Sequence, residues 1–396
     1  FLVVLFQSLP SSIPLVHPTF QISSQILRCR TFVLFLGYLL EYQNVKFLAC
    51  IFHQTKLFQT ELYALENFTI LKLEYNTILF MKATCFDGKN MRFDNNYPDP
   101  KSGEVLVRVN LAGICGTDLE ILDGYMAYDG ILGHEFVGTV EKSENPDLIG
   151  KRVVGEINAG CGACESCEKG MDRHCPNRTV LGILKRDGAF AEYLSLPEKN
   201  LHVIPDSITD EQAVFVEPLA AAFEIKEQVS LQPQWSVAVV GDGRLAQLII
   251  QVLKLTCPNI TCFGKHKSKL ESLINVGVKI KIGIEESDEQ SFDLVVEATG
   301  SNSGFADTMK LIKPRGTVIL KSTIASRENL DLTPTVVNEI TLIGSRCGLF
   351  KPAIDALATG MVSVDSMVDS TFPLEKFSEA IQHAKKPDTL KVFLKP

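Results

Sequence analysis

Short segments of alternating apolar and polar residues dominate the chain from Met81 to about residue 230. Residues 104–111 show the alternation most clearly, and this pattern is typical of a strand with one buried face. Further strands are predicted at residues 135–140, 152–156, 190–194 and 201–204. Because Gly, Pro, Asn and Asp separate these short strands, the pattern predicts a small β-barrel or β-sandwich.

Continuous apolar runs alternate with helical stretches in the second half of the chain. Residues 235–240 form an apolar run of strand length, and residues 247–255 have the pattern of a helix. Later strands are predicted at residues 259–263, 278–282, 293–297 and 317–321. Strands that alternate with helices indicate a parallel, doubly wound sheet. The predicted fold class is therefore α/β.

Two segments flank this predicted sheet. Before it, a helix is predicted to begin near residue 209, with Thr209 or Asp210 as its N-cap. Glu217 lies in an apolar stretch of this helix, where an unpaired carboxylate is costly to bury, so we expect it to coordinate a cation or to pair with a base. After the sheet, residues 350–396 hold two predicted helices (353–358 and 374–383) and a closing strand (389–394). This last segment is too small to fold alone, and we expect it to pack on the first domain.

Residues 1–80 have a different composition from the rest of the chain. They are rich in Phe, Leu and Ile, contain no Asp, and hold a single glycine, Gly37. Their best apolar run, residues 31–40, is too short to cross a membrane. No basic residue precedes the opening apolar stretch, as one would in a secretory signal. We expect Met81 to be the true start and the preceding residues to be a gene-model artefact; a genuine N-terminal extension is the alternative.

Composition narrows the class of protein. A chain of 396 residues can form two domains with proper cores. Its net charge of -8 argues against nonspecific nucleic-acid binding, because no excess of basic residues is available to neutralise phosphates. Four of its 11 cysteines lie between residues 161 and 175. Such clustering favours metal-bound thiolates in a reducing, cytoplasmic compartment over a secreted disulfide protein.

The cysteine cluster predicts a metal site. Four thiolates on one tight loop are what a closed, tetrahedral structural zinc site needs. A coincidental cysteine-rich loop and an iron–sulfur cluster are the alternatives, because four cysteines can also hold such a cluster. We expect zinc at these four residues: Cys161, Cys164, Cys167 and Cys175.

A second set of metal-binding residues lies earlier in the chain. Cys115 stands in the sequence Gly-Ile-Cys-Gly-Thr-Asp, and His134 and Glu135 follow within one supersecondary unit. Thiolate, imidazole and carboxylate are the ligand types that zinc prefers, and a catalytic zinc usually has three protein ligands and one open position. Each piece alone is weak evidence, because a lone Cys-Gly-Thr or His-Glu is usually structural. Together with the cysteine cluster that follows, they predict a catalytic zinc.

A dinucleotide-binding turn follows the apolar run at residues 235–240. Gly241, Gly243, Arg244 and Leu245 belong to a G-x-G-x-x-A sequence between this strand and a helix. The glycines permit a tight turn, and the helix N-terminus can meet a pyrophosphate. The strand–turn–helix context makes this a strong signal, whereas the glycine pattern alone would be weak.

The end of the next strand bears on cofactor choice. An NAD enzyme usually offers Asp or Glu there to the ribose hydroxyls, whereas this chain offers Gly264 followed by Lys265, His266 and Lys267. The missing acid and the three basic residues favour a 2′-phosphate, and therefore NADP over NAD; a solvated basic helix start is the alternative. A further turn at residues 298–300, with Thr299 and Gly300, lies at a strand's carboxyl end, where ligands bind in such sheets.

The order of these motifs resembles the medium-chain dehydrogenase/reductase family, of the zinc alcohol dehydrogenase type, from Met81 to Pro396. The resemblance implies a GroES-like β-barrel domain with two zinc ions, a Rossmann domain, and an active site in the cleft between them. We place the barrel at residues 81–230, the Rossmann domain at 231–349 and the return to the barrel at 350–396, with residues 1–80 outside the fold. The family also implies a homodimer or homotetramer, with no membrane or nucleic-acid partner.

Carried over position by position, the resemblance assigns Cys115 and His134 as direct ligands of the catalytic zinc. Glu135 and Glu217 supply the remainder of the ligand set, one directly and the other through water or in alternation. Asp118 orients His134, and Thr117 passes the substrate proton outward. Many enzymes of this family have a His three residues after that Thr, and this chain has Glu120.

The resemblance implies zinc-assisted hydride transfer between a nicotinamide cofactor and a hydroxyl group, or the reverse reaction on a carbonyl. The Glu217-Pro-Leu sequence and Glu120 favour a polyol or sugar-like substrate. A zinc-containing NADP-binding sensor or scaffold without turnover is the main alternative. A zinc-free reductase on the same fold is a poor alternative because such enzymes lack the metal ligands, and a damaged gene product that does not fold is a further one.

Overall fold

The computed structural model describes residues 80–100, 103–274, 276–301, 303–323 and 330–396. The expectation for residues 1–80 therefore lies outside the described residues, apart from Phe80, which begins the first strand. None of the described helices is long and apolar enough to cross a membrane.

The first part of the described chain consists of short strands and a few short helices. Its elements, in order, are β1 (Phe80–Phe86), β2 (Met91–Pro98), β3 (Val105–Gly113), α1 (Gly116–Leu122), β4 (Gly130–Ile131), β5 (Glu135–Lys142), β6 (Arg152–Gly155), β7 (Asn158–Ala159), α2 (Glu165–Glu168), β8 (Thr179–Leu181), β9 (Lys185–Arg186), β10 (Tyr193–Leu196), β11 (Leu201–Val203) and α3 (Asp210–Ala213). Three-residue 3₁₀ turns lie at Pro146–Leu148, Asp172–His174 and Glu198–Asn200.

The second part alternates helices and strands. Its elements are α4 (Val216–Gln228), β12 (Val237–Val240), α5 (Arg244–Lys254), β13 (Ile260–Gly264), α6 (Lys267–Ile274), β14 (Lys279–Ile282), β15 (Phe292–Glu297), α7 (Gly304–Leu311), β16 (Ile312–Leu320), α8 (Thr333–Val337) and β17 (Thr341–Gly344). The C-terminal part holds α9 (Phe350–Ala358), β18 (Val368–Pro373), α10 (Phe377–Ala384) and β19 (Lys391–Lys395). Further 3₁₀ turns lie at Glu286–Asp288, Asp365–Met367 and Leu374–Lys376.

The second part forms a six-stranded sheet in the order β14-β13-β12-β15-β16-β17. All its strand pairs are parallel, and the order reverses at β12, as it does in a doubly wound nucleotide-binding sheet. The four residues of β12 are all buried, as expected for a strand covered by helices on both faces. The predicted α/β fold class is confirmed.

The first part forms a seven-stranded sheet in the order β11-β6-β5-β3-β19-β18, with β10 also paired to β3. The alternation seen in the sequence is real, because Val105, Val107 and Val109 of β3 are buried while Arg108 is exposed. The closing strand β19 pairs antiparallel with β3 and parallel with β18. The C-terminal segment thus completes a sheet whose other strands lie in the first part of the described chain. The domain limits stay a prediction.

The two sheets share a continuous apolar core. One cluster of buried side chains joins Val137 and Phe393 of the first sheet to Val237 of the parallel sheet, through Phe215 and Leu219 between them. A second cluster fills the interior of the first sheet, and a third lies on the other face of the parallel sheet. This shared core holds the carboxyl end of β12 next to the first domain.

Two predicted elements needed correction. The helix predicted from Thr209 ends at Ala213, and a separate helix begins at Val216, because Pro218 has no N–H to donate and is tolerated only in a first helical turn. Thr209 is the N-cap of the first helix, as predicted. The strand predicted at residues 190–194 begins only at Tyr193, because the amide of Phe190 donates to the Leu132 carbonyl outside that strand ladder.

Candidate active site

The fold brings the first predicted metal set together at the ends of β3 and β5. Gly113 of β3 pairs with Glu135 of β5, so Cys115, two residues further on, lies beside His134. The donor atoms of Cys115, His134 and Glu135 all lie within 4.8 Å of one another. His134 and Glu135 are buried, and Cys115 is half-buried. Sulfur, imidazole and carboxylate donors at this spacing fit a zinc ion.

Asp118 organises the loop that carries these donors. It is fully buried in the first turn of α1, where its Oδ2 accepts a hydrogen bond from the Cys115 amide at 2.8 Å. Its Oδ1 accepts from the Gly133 amide at 3.2 Å and lies 3.3 Å from His134 Nδ1. One carboxylate therefore fixes both halves of the metal set and lies where it can orient the imidazole.

Glu135 has a partner that the sequence did not indicate. The Lys391 ammonium, on β19, forms a buried ion pair with Glu135, and both side chains are only 1% exposed. The same ammonium lies 5.3 Å from the centroid of the Phe215 ring. A lysine thus neutralises the carboxylate that was assigned to the metal.

Glu217 lies on the first turn of α4, outside the group of three converging donors. Burial raises the pKa of Glu217 to about 7, and the neighbouring Glu135 carboxylate adds to this, while His134 and Lys391 act against it. Among the described residues, no hydrogen-bond partner holds its carboxylate. Thr117 Oγ1 lies 3.8 Å from Cys115 Sγ, and both Thr117 and Glu120 are half-buried on α1.

The four clustered cysteines also converge. Their sulfur atoms all lie within 4.8 Å of one another, with Cys164 Sγ 3.6 Å from both Cys167 Sγ and Cys175 Sγ. Backbone N–H donation, first of all from Cys161, lowers the pKa of Cys175 to about 6. No disulfide joins them, so four sulfur donors are available to one ion.

The glycine turn lies between β12 and α5, as the sequence predicted. Gly241 has a φ of +127°, and a Cβ there would meet the Ala298 carbonyl, so only glycine fits. Gly243 is the N-cap of α5, and a Cβ at this position would meet nothing within 4 Å. Open space in front of a helix N-terminus suits a pyrophosphate. Leu245 follows in the first turn of α5 and is half-buried.

Arg244 connects this turn to the metal loop. Its Nη1 donates to the Ile114 carbonyl at 2.9 Å, directly before Cys115. On the next strand end, Thr299 Oγ1 donates to Glu297 Oε1 at 2.6 Å, and the Gly300 amide donates to Ser322 Oγ at 2.8 Å. Arg244 therefore places the nucleotide turn in direct contact with the loop that carries the metal set.

The basic residues after β13 do not form one cluster. Lys265 and Lys267 are exposed, and Lys267 lies 3.8 Å from Glu271. His266 is half-buried, and its Nδ1 lies 3.1 Å from both carboxylate oxygens of Asp242. Asp242, the residue between the two glycines of the turn, is 7% exposed.

Residues 101–206 match the alcohol dehydrogenase GroES-like domain family. D-arabinitol dehydrogenase 1 of Uromyces fabae is 28% identical over 316 residues, which cover 74% of this chain and 90% of that protein. A zinc-binding dehydrogenase of Sinorhizobium meliloti 1021 bound to NADP superposes with a TM-score of 0.73 at 26% identity, covering 80% of this chain and 99% of the other. The alcohol dehydrogenase rspB of E. coli CFT073, complexed with NADH, gives 0.72 at 26% identity over 80% and 99%.

Over most of its length the chain is similar to the zinc-type alcohol dehydrogenases of the medium-chain dehydrogenase/reductase family. By this similarity it is an NAD(P)-dependent oxidoreductase that acts on small molecules. The predicted resemblance and the predicted enzyme class are confirmed.

Three contacts in this dehydrogenase site are not predicted by the sequence. Lys391 could have been noticed as a lysine inside a predicted apolar strand, but nothing local indicates its partner. Arg244 was counted with the cofactor turn, and its bond to Ile114 was not foreseen. Asp242 lies between the two glycines of the turn, but its contact with His266 depends on the pairing of β12 with β13, which the local sequence does not indicate.

Proposed function

We propose that this chain catalyses zinc-dependent hydride transfer between NAD(P) and a hydroxyl group of a polyol or sugar-like substrate, or the reverse reaction on the carbonyl. The convergence of the Cys115, His134 and Glu135 donors within 4.8 Å of one another carries this proposal. The 2.9 Å bond from Arg244 to Ile114 joins the two sites directly. A metal site and a nucleotide turn held this close suit one reaction.

Cys115 and His134 are proposed as direct ligands of the catalytic zinc. Of the two glutamates, Glu135 converges with Cys115 and His134 but shares its carboxylate with Lys391 in a buried ion pair. The Glu217 carboxylate has no such partner among the described residues, so we assign it as the carboxylate that completes the ligand set. Glu135 then contributes through water or by alternating with Glu217.

When bound, zinc acts as a Lewis acid on the substrate oxygen, and the nicotinamide ring takes up or supplies the hydride. The side chains of this chain do the rest. Asp118 holds the Cys115 amide and keeps His134 in register. The Thr117 hydroxyl lies next to Cys115 and is proposed to accept the substrate proton and pass it towards solvent. Glu120, one turn further along α1, is the proposed next acceptor.

The substrate class follows from two lines of support. Glu217-Pro-Leu and Glu120 resemble the polyol and sugar dehydrogenase branch of the family. The match extends over 90% of the D-arabinitol dehydrogenase and 92% of the sorbitol dehydrogenase of Bacillus subtilis. A carboxylate-rich site with a hydroxyl relay suits a substrate with several hydroxyl groups, so we propose a polyol or the corresponding keto sugar.

The four cysteines are proposed to hold a second, structural zinc. Cys175 is buried, Cys161 is exposed, and the lobe is tied to the body of the protein by the Arg173–Glu224 ion pair at 3.0 Å. Four protein ligands leave no open position for a substrate. This site therefore contributes folding stability rather than chemistry.

Three finer points belong to the same proposal. The expectation of NADP rests on Gly264 and the basic residues after it, whereas the Asp242 carboxylate at the same place acts against a 2′-phosphate, so the cofactor is left here as NAD(P). A homodimer or homotetramer is supported by Val336 and Val337, which are 77% and 72% exposed beside the edge strand β17. A cytoplasmic location stays a prediction from cysteine usage.

Purified enzyme and its Cys115→Ser variant test the proposal. The wild-type enzyme should reduce NAD or NADP in the presence of polyols, and Cys115→Ser should lose most of that activity while its circular dichroism and melting temperature stay close to wild type. Cys85→Ser is the matched control, since Cys85 is buried in β1 and belongs to neither metal set. Equal turnover by Cys115→Ser and wild type would rule out the assigned site.

A further inference from the structure

The side chain of Asp242 occupies the space where the adenosine-binding acid of a dinucleotide fold normally stands. That acid usually lies at the end of the second strand, about 20 residues after the glycine turn. In this chain the position is Gly264, the last residue of β13. A Cβ built on Gly264 would lie 2.8 Å from both Cβ and Oδ2 of Asp242. A side chain at position 264 and Asp242 in its present position are therefore mutually exclusive.

The Asp242 carboxylate also fills an anion-binding pocket. Its Oδ2 accepts hydrogen bonds from the amides of Lys265 at 2.6 Å and His266 at 2.7 Å. The His266 ring lies against both oxygens at 3.1 Å. Successive backbone N–H groups ahead of a helix form a concave site for an anion. Burial alone would raise the pKa of Asp242, but the hydrogen bonds from His266 and Lys265 outweigh it and lower that pKa, so the carboxylate is ionised.

We propose that Asp242 is the residue that selects the cofactor, and that it favours NAD(H) over NADP(H). This inference rests on the proposed function only in that the glycine turn binds a dinucleotide. Both amides donate to Oδ2, whereas Oδ1 contacts only the His266 ring among the described residues and so has a lone pair left for a ribose 2′-hydroxyl. A 2′-phosphate would have to share this pocket with an ionised carboxylate, and the repulsion between the two negative charges disfavours it.

The basic residues that favoured NADP in the sequence are accounted for by the same geometry. His266 is committed to Asp242, and Lys267 lies near Glu271 in an exposed helical pair. The backbone amide of Lys265 donates a hydrogen bond to Asp242, and the Lys265 side chain is exposed. The acid thus lies in the glycine turn and not at the end of β13, and this position supports NAD in place of the NADP that the sequence favours.

Calorimetric titration of the purified full chain with ADP and with 2′-phospho-ADP tests the inference. Both probes lack the nicotinamide ring, so the result depends on neither zinc nor turnover. The wild-type protein should bind ADP at least about tenfold more tightly, because tenfold corresponds to only about 1.4 kcal/mol and a contact between two anions at the protein surface exceeds this. Tighter binding of 2′-phospho-ADP by the wild type would overturn the inference.

Asp242→Ala empties the pocket and frees two amides for a phosphate, so the preference for ADP should fall at least about tenfold. Asp242→Asn keeps the shape without the charge and should give a smaller shift in the same direction. Glu271→Gln is the matched control, since it removes one negative charge from α6, the helix that follows the pocket, without removing a pocket contact. Equal shifts in Asp242→Ala and Glu271→Gln would mean that Asp242 acts only through net charge, which contradicts the proposal.

A relocation variant makes the test sharper. Asp242→Gly combined with Gly264→Asp returns the acid to the end of β13. The substitution at position 242 removes two of the three nearest contacts of a Cβ at position 264, and the third is the flexible end of Leu270. The double variant should regain the ADP preference that Asp242→Gly alone loses, and a double variant that prefers 2′-phospho-ADP would contradict the account. If the wild type binds neither probe, the result contradicts both the dinucleotide site and this inference. Selective ADP binding without any polyol oxidation would contradict only the proposed function.

Discussion

The buried ion pair between Lys391 and Glu135 permits a quantitative test of what holds the two ends of the first domain together. Both side chains are 1% exposed, and they join β19, at the C-terminus, to β5. Replacing Lys391 by Met keeps most of the packing volume but leaves the Glu135 carboxylate buried and unpaired. Breaking one side of a buried pair costs about 3–5 kcal/mol.

At about 2 °C per kcal/mol for a chain of this size, Lys391→Met should lower the melting temperature by about 6–10 °C. Glu135→Gln should cost a similar amount, because it strands the ammonium. The double variant should lose much less than the sum, because removing both charges removes the unpaired ion that each single variant creates. Differential scanning calorimetry with zinc supplied, and again after chelation, separates this effect from any loss of metal.

An exposed pair provides the control. Lys385 and Asp123 lie 2.9 Å apart with side chains 44% and 60% exposed, so Lys385→Met should cost no more than about 1 kcal/mol. The reasoning fails if Lys391→Met behaves like Lys385→Met, or if the Lys391 and Glu135 substitutions are additive.

Three further predictions follow from other contacts. Arg244→Met removes the hydrogen bond to the Ile114 carbonyl and a cation at the glycine turn, so NADH affinity measured by fluorescence should fall about tenfold. Arg244→Lys should lose less affinity. Unchanged affinity in the Met variant would refute a role of Arg244 in cofactor binding. Burial lowers the pKa of Lys321 from 10.5 to about 8. Between pH 8 and pH 10.5 the unfolded chain therefore binds one proton more than the folded protein, and the free energy of unfolding should rise with pH. Urea midpoints that rise equally in Lys321→Met would contradict this. Cys164→Ser should lose one zinc and several degrees of melting temperature, and an unaltered melting temperature would contradict a structural role.

Much of the fold could be predicted because its signals are local. The alternation in β3 and the apolar run of β12 reflect which face of each strand is buried, and both appear in the sequence. The glycine turn is equally local, since Gly241 needs a backbone conformation that other residues rarely adopt. Pro218 could have indicated the break between α3 and α4, because proline interrupts a helix except in its first turn.

The remaining features depend on contacts between distant parts of the chain. Lys391 and Glu135 are 256 positions apart, and only the insertion of β19 beside β3 brings them together. The preference for NADP was inferred from residues next to each other in sequence, whereas Asp242 meets His266 through the pairing of two parallel strands. A pattern of residue types gives the chemistry available at a site, and strand order decides which groups neutralise one another.

Zinc content per chain, measured by elemental analysis of the wild type and of Cys115→Ser and Cys164→Ser, tests the central claim most directly. The account predicts two zinc ions in the wild type and one in each variant, with polyol-dependent reduction of NAD(P) lost in Cys115→Ser. One zinc in both the wild type and Cys115→Ser would show that only the four-cysteine lobe binds metal, and would contradict a zinc-dependent dehydrogenase site at Cys115 and His134.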